Sequence, residues 1–521
     1  MHRLLMVLLL VGLIAGQAGM GATAYFTDAE PNAGNTFEAW VSSQWVQTTQ
    51  LDFEAGVLNQ VDTSSSPGNV KLATTSNWYN TNWQYRRAIT IDHTKVDNVA
   101  NPSSTYANFP VLVYATGLSN IKADGADIRF TSSDGTSELP REIERYSSGT
   151  LYAWVKVTLT KDAGDTSNDV IYMYYGNTAA TEPAPGSTYG SQNVWGSNYK
   201  GVWHLKEDPS GTAPQMKDST TNGNNGTSGG SMTSGDQVAG KIDGSLYFDG
   251  SNHYVQVNDS ASLRIGSAIT VSAWIYPYSV ATGSHRIISK WTPSNQEYIL
   301  YLSGTEVGVG IKTGYGVTSG ANLAINTWYH LEMVWSGSNT ITVYKNGSLL
   351  QNVTITPGTT GTSSPLVFAK HGSLSSEYFN GIIDETRVSM TNESANWIKT
   401  CYNNQIDPGS FYNVGTQENK YLSPGSIASD VLDTIVAGAK WDALFWDETL
   451  PSNTDITFEV RASDTLFAKN ATTPNWIDLG LANSPITSGL PSGRYMQWRA
   501  TLTTSDTSKT PTLQEVTIDY Y

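Results

Sequence analysis

From residue 245 to 275 the chain reads SLYFDGSNHYVQVNDSASLRIGSAITVSAWI, and its apolar side chains fall largely at every second position. Leu246 and Phe248 lie on one side of an Asp249-Gly250 pair, with Tyr254, Val255 and Val257 on the other. After a polar loop, Ile269, Val271, Ala273 and Ile275 alternate with Thr270, Ser272 and Trp274. A period of two sends successive side chains to opposite faces of an extended strand, and Asp-Gly is a tight-turn signal. The pattern therefore predicts paired β-strands with one face buried. It returns in INTWYHLEMVW (325–335), ITVYKNGSLL (341–350) and FNGIIDETRVS (379–389).

The ordered segments YFDGSNHYVQV, ITVSAWIYP, INTWYHLEMVW, VYKNGS and GIIDETRVS, followed by a short helix, resemble the LamG-like, concanavalin A-type lectin/glucanase jelly roll over residues 200–416. The resemblance implies a two-sheet sandwich that displays loops, and by itself it does not imply an enzyme.

At 521 residues the chain exceeds what one core serves, and 47 Gly and 20 Pro with few helical patterns mark a turn-rich protein. The expected fold class is all-β, with three β-sandwich domains in tandem and the jelly roll at the centre. A net charge of −16 with no basic run argues against nucleic acid or an anionic membrane as partner. The acidity reads as solubility, as calcium affinity or as membership of an acidic surface layer. Cys401 is the only cysteine, so no intrachain disulfide forms. With Trp397 and Ile398 it falls on one face of a helix expected over 391–404, capped by Thr391 or Asn392, where it reads as a buried hydrophobe.

Residues 1–24 have a basic start, an apolar stretch and Ala22-Thr23-Ala24, the pattern of a cleaved signal peptide; an uncleaved anchor is the alternative. Export places the chain outside the cell or on its surface. The run AYFTDAEPNAGNTFEAW, within 25–49 and its preceding alanine, resembles the start of TasA/camelysin-type exported matrix-fibre proteins. Residues 77–199 hold WQYRRAITI, FPVLV, ADIRF and YMYYGN, and Asp134-Gly135 is a hairpin signal. This segment resembles a domain of unknown function that precedes LamG-like domains in prokaryotic surface proteins. Residues 417–521, opening YLSPGSIAS, resemble a discoidin-like β-sandwich. Residues 50–76 read as a linker or as the first strands of that last sandwich, which would then be split by the insertion of everything between. The Gly-, Ser-, Thr- and Asn-rich stretch 219–235 reads as a loop without structure of its own.

No G-x-S-x-G, H-E-x-x-H or phosphate-binding glycine loop is present, and the seven histidines are scattered. Glycoside hydrolysis needs two carboxylates about 5–9 Å apart. The nearest pairs are Asp384-Glu385, which on a regular strand face opposite sides, and Glu142 with Glu144, which read as a solvated strand face. A non-enzymatic role is expected, with a glycan-processing hydrolase as the least favoured alternative. The LamG resemblance implies one structural Ca²⁺, with Asp249 and Asp384 as candidate ligands meeting if the first and last strands pair; the same residues also read as a turn residue and a strand-end group. His253, Tyr254, Trp291 and Tyr315 are candidate loop aromatics for a carbohydrate or other cell-surface ligand, and equally read as strand-face packing. Sequons stand at Asn225, Asn258, Asn346, Asn352, Asn392 and Asn470. Self-association in an extracellular layer or fibre is the second functional reading.

Overall fold

The computed structural model describes residues 23–24, 41–97, 105–359, 361, 363–480 and 483–521. Most of the signal segment and of the TasA-like run lies outside the described residues. The architecture is all-β, and the chain divides into two compact units, residues 1–85 with 418–521, and residues 86–417. Among the described residues no helix is long and apolar enough to cross a membrane.

The first unit is a sandwich built from both ends of the chain. In one sheet Val41–Gln47 and Val70–Leu72 pair with Thr512–Tyr520. In the other Val57–Asn59 pairs with Gly425–Ala428, which continues into Tyr495–Thr504. Pairing of the N-terminal side with the C-terminal strand starts at Ser43, earlier than the sequence pattern suggested. Phe53, Val70 and Leu72 share a core with Trp446, Phe458, Trp498 and Ile518. Trp498 Nε1 donates to Gln47 Oε1 at 2.6 Å inside that core.

The second unit holds two sandwiches. The smaller one has a three-stranded sheet of Arg141–Ser147, Thr150–Leu159 and Tyr106–Ala115. Its other sheet runs through Tyr85–Ile91, Asp169–Tyr175, Arg129–Thr131 and Glu138–Leu139, with Tyr412–Val414 added at the edge from beyond the jelly roll. Asp134 closes the Arg129–Thr131/Glu138–Leu139 hairpin by accepting from the backbone N–H groups of Thr136 and Ser137. Leu151, Ala153, Val155, Val157 and Leu159 are all buried, as their alternation required. Trp154, on the opposite face, is buried too, against Trp195, Tyr199 and Val202.

The larger sandwich is the jelly roll. Its eight-stranded sheet runs Gln237–Ala239, Gly244–Asp249, Asn380–Ser389, Ile269–Pro277, Tyr329–Trp335, Thr340–Lys345 and Ser348–Thr354, and Tyr199–Trp203 also pairs with Asn380–Ser389. The seven-stranded sheet runs Gly226–Gly229, Tyr254–Val257, Leu366–Phe368, Ser284–Trp291, Gln296–Ser303, Glu306–Ile311 and Gly314–Val317. Leu246, Phe248, Val271, Ala273, Ile275, Leu300 and Val388 fill the space between. The stretch 219–235 departs from the expected bare loop. Asp218 accepts from the backbone N–H groups of Val202, Thr220 and Asn224, and the chain then forms a strand at Gly226–Gly229 and buries Met232. The helix spans Ala395–Ile406 and is capped by Ser394, whose hydroxyl accepts from Trp397 N at 3.2 Å, so neither Thr391 nor Asn392 is the cap. Ile398 and Cys401 are buried, and Trp397 packs on Phe109 and Tyr106.

Candidate functional site

The outer face of the eight-stranded sheet is where alternation places the side chains that do not enter the core. Register arranges them in rows across the strands. Tyr247 and Tyr276 both stand opposite Ile382, one from each side. Trp328 precedes Tyr329, the partner of Ile275, and so continues the same row. The rings meet at centroid distances of 5.4 Å for Tyr276–Trp328, 5.6 Å for Tyr276–Tyr278 and 5.7 Å for Tyr247–Tyr278. Tyr278 is 41 % exposed, and Tyr247, Tyr276 and Trp328 are half-buried. Beyond Tyr247 stands His253, 6.3 Å away between ring centres, with Asp236 and Asp249 at 3.7 and 4.0 Å from its nitrogens. Burial works against charge on Asp249, but the backbone N–H groups of His253, Asn252 and Ser251 hold its carboxyl below the usual range.

The next row, Asp384, Trp274 and His330, is closed off. Trp274 Nε1 donates to Gln405 Oε1 at 2.7 Å, and Tyr402 of the helix lies over the indole. Here the structure corrects the reading of both carboxylate pairs. Asp384 and Glu385 do not face opposite sides. The ladder slips by one residue between Trp274/Asp384 and Ser272/Arg387, and Glu385 takes a φ of +48°. This bulge puts Glu385 on the outer face with Asp384 and Arg387. Nor are Glu142 and Glu144 solvated. Glu142 stands opposite Trp154, a one-residue slip after Ile143 leaves Glu144 unpaired, and both are buried in the space between the two sandwiches.

His204 is the centre of this buried group. Its Nδ1 lies 2.5 Å from Glu385 Oε1 and 3.6 Å from Glu144 Oε2, and its Nε2 lies 3.4 Å from Glu142 Oε2. Burial disfavours every charge here, so charge survives only where a partner compensates it. Burial opposes the His204 cation, but the carboxylates of Glu385, Glu144 and Glu142 outweigh it and the imidazole titrates well above its ordinary range. Burial likewise opposes the Glu385 anion, yet His204 and Arg387 pull it to about 2. Glu142 is held low against burial by His204, Ser219 and Trp195. Burial wins at Glu144, pushed up to about 8, and at Asp384, raised well above the usual range by burial and by Glu385. Glu385 and Glu142 thus favour the anion beside the His204 and Arg387 cations, while Glu144 and Asp384 are pushed toward the neutral acid.

The remaining candidates are dispersed. Asp249 stands opposite Asn380. Asp384 lies four positions further along, about 13 Å at a strand's rise, and accepts from Ile242 N. First and last strands do pair, but their register keeps these two aspartates apart, and they do not form a shared calcium cage. Of the four proposed ligand aromatics, His253 alone joins the aromatic row. Tyr254 lies on the other sheet, with Lys370 Nζ 4.2 Å above its ring. Trp291 is not a loop aromatic: it ends the strand Ser284–Trp291, buried against Ile299 and Tyr301. Tyr315 is 68 % exposed on the last strand of that sheet. Asn258, Asn352, Asn392 and Asn470 are exposed, whereas Asn225 and Asn346 are half-buried and accept from Asp218 N and His330 N. Tyr247, Tyr276, Tyr278 and Trp328 escaped the sequence reading. Their signal was the aromatic run at 274, 276 and 278, every second residue of one strand and its extension.

Two known families match parts of the chain. Residues 124–190 match the Domain of unknown function (DUF2341), and residues 249–399 match the Concanavalin A-like lectin/glucanases superfamily. The chain carries a DUF2341 domain followed by a concanavalin A-like domain. Among curated proteins none matches the sequence. Solved structures similar to the chain include Domain 4 of AbnA, a GH43 extracellular arabinanase from Geobacillus stearothermophilus, in complex with arabinotriose. It is 19 % identical over 39 % of this chain and 97 % of that one, with a TM-score of 0.31. The binding domain of Paraclostridial Mosquitocidal Protein 1 is 14 % identical over 47 % of this chain and 60 % of its own, with a TM-score of 0.32. The receptor binding domain of botulinum neurotoxin C/D mosaic serotype is 15 % identical over 39 % of this chain and 51 % of its own, at 0.31. The chain thus spans only about half to three-fifths of those two binding domains. At such scores these likenesses carry no argument about function.

Proposed function

We propose that this is an extracellular, non-enzymatic protein that binds carbohydrate on a cell or matrix surface, and that Tyr247, Tyr276, Tyr278 and Trp328 form the surface that meets it. The observation that carries this reading is the open aromatic row on the concanavalin A-like sandwich, whose neighbouring row is covered. Sugar rings offer flat C–H faces that stack on aromatic rings, and hydroxyls that bond to phenol, carboxylate and imidazole groups. The row is several rings long, which suits a stretch of polysaccharide better than a single sugar. His253, Asp236 and Asp249 supply polar groups at its end.

A glycan-array screen of the full chain, with calcium and with EDTA, tests this. Binding is expected, with Tyr278→Ala and Trp328→Ala each weakening it about tenfold, the order of one aromatic contact. Binding that both variants leave unchanged would place the site elsewhere. A second reading, assembly into a surface layer, is favoured by the edge strand Gly314–Val317, which exposes Tyr315 and Val317. Concentration-dependent oligomers with no glycan binding would support it over the first.

A further inference from the structure

The buried group around His204 goes beyond ligand binding at the aromatic row. We propose that Glu144, His204 and Glu385 form a site for a first-row transition-metal dication, Zn²⁺ foremost. One ligand atom from each of the three lies within 4.8 Å of the others. Donors at about 2.0–2.2 Å from a tetrahedral ion stand about 3–4 Å apart. Glu144 is already 3.6 Å from His204 Nδ1, whereas Glu385 Oε1, at 2.5 Å, must move apart from it to admit the ion. One imidazole nitrogen and two carboxylates suit such an ion, whereas calcium prefers a cage of oxygen atoms alone.

The surroundings are those of a supported metal site. His204 Nδ1 faces Glu385 and Glu144, and its Nε2 faces Glu142, the carboxylate–histidine arrangement that orients a ligating imidazole. Glu142 is itself held, accepting from Trp195 Nε1 at 2.8 Å and Ser219 Oγ at 2.6 Å. Each proposed carboxylate ligand has one oxygen anchored. Trp154 Nε1 donates to Glu144 Oε2 at 2.8 Å, and Arg387 donates to Glu385 Oε2 at 2.7 Å. Glu144 Oε1 and His204 Nε2 are buried with no hydrogen-bond partner among the described residues. Leaving such atoms unsatisfied is costly, and a bound ion would satisfy Glu144 Oε1. An open groove of about 580 Å³ lined by Lys206, Glu207 and Asp243 borders Glu144, whose side chain is itself buried, so an ion would enter from there only as that wall opens. Glu144 and Glu385 both sit at strand irregularities, the kind of backbone feature that re-aims side chains at sites.

The test uses the tag-free full chain, stripped with EDTA and dialysed. It is titrated with Zn²⁺, Mn²⁺ and Ca²⁺ separately, with metal content read by mass spectrometry and melting followed alongside. The expected result is one Zn²⁺ per chain, a raised melting temperature, and at least tenfold weaker binding in Glu144→Gln, which keeps the shape of the side chain. Failure to retain Zn²⁺ or Mn²⁺ after dialysis would overturn the proposal, as would equal Zn²⁺ binding by wild type and Glu144→Gln. Should Glu144→Gln not fold, the wild-type stoichiometry decides, with His204→Gln as the second variant. Glycan binding does not enter any of these readouts, so the proposal stands or falls apart from the function proposed above.

Discussion

Glu332 and His330 lie on one strand with Nδ1 of the imidazole 3.9 Å from the carboxylate, and burial neutralises them in opposite senses. Burial, and then the Glu393 carboxylate, pushes Glu332 up to about 8, while burial, and then Arg387, pushes His330 down to about 3. The signs follow from linkage. Glu332 titrates higher in the folded chain than unfolded, so its contribution is complete below about pH 4.5 and is lost as pH rises toward 8. His330 titrates lower when folded, so its contribution is complete above about pH 6.5 and is lost as pH falls toward 3. Urea unfolding between pH 5 and 8 is therefore expected to show a loss that Glu332→Gln reduces, by up to about 1.4 kcal/mol per pH unit. Equal slopes in the two proteins would refute this. The outward positions Trp274, Tyr276 and Tyr278 could be read from alternation alone. The facing of Glu385 could not, because its positive φ breaks the parity on which such a reading depends.

Within single elements, close approach sets the tolerances. In strand Tyr199–Trp203 a Cβ on Gly201 would lie 2.0 Å from the Trp203 ring, which is fully buried and donates to Asn224 O. Gly201→Ala is expected to destabilise the jelly roll by about 1–3 kcal/mol, read from the denaturant midpoint. In the terminal sandwich, Trp498→Phe would keep most of the ring volume but strand Gln47 Oε1 without its donor. A cost of about 1–3 kcal/mol in the unfolding of that sandwich is expected, and an unchanged midpoint would show that the bond contributes nothing. Strand existence and the hairpin at Asp134-Gly135 were legible from local pattern and turn chemistry. The helix start was not, since Thr391, Asn392 and Ser394 are all competent caps and only packing selects among them.

For the whole molecule, the arrangement of strands makes a prediction about dissection. Residues 86–417 hold two sandwiches with their own cores and are expected to melt cooperatively when expressed alone. Residues 418–521 alone lack Val41–Gln47, Val57–Asn59 and Val70–Leu72 and are expected to stay unfolded. Residues 41–85 joined to 418–521 by a flexible linker should fold, with circular dichroism and proteolysis as the readout. A folded 418–521 fragment would contradict this. By itself the sequence determined the all-β class and most of the strands with their buried faces, because period-two alternation and turn residues act over a few neighbouring positions. Only the tertiary structure decided that Glu142, Glu144, His204, Asp384 and Glu385 share one buried space, and that Asp249 and Asp384 do not meet. Those outcomes depend on register, on two one-residue bulges and on contacts between distant segments, and none of these leaves a local trace in the chain.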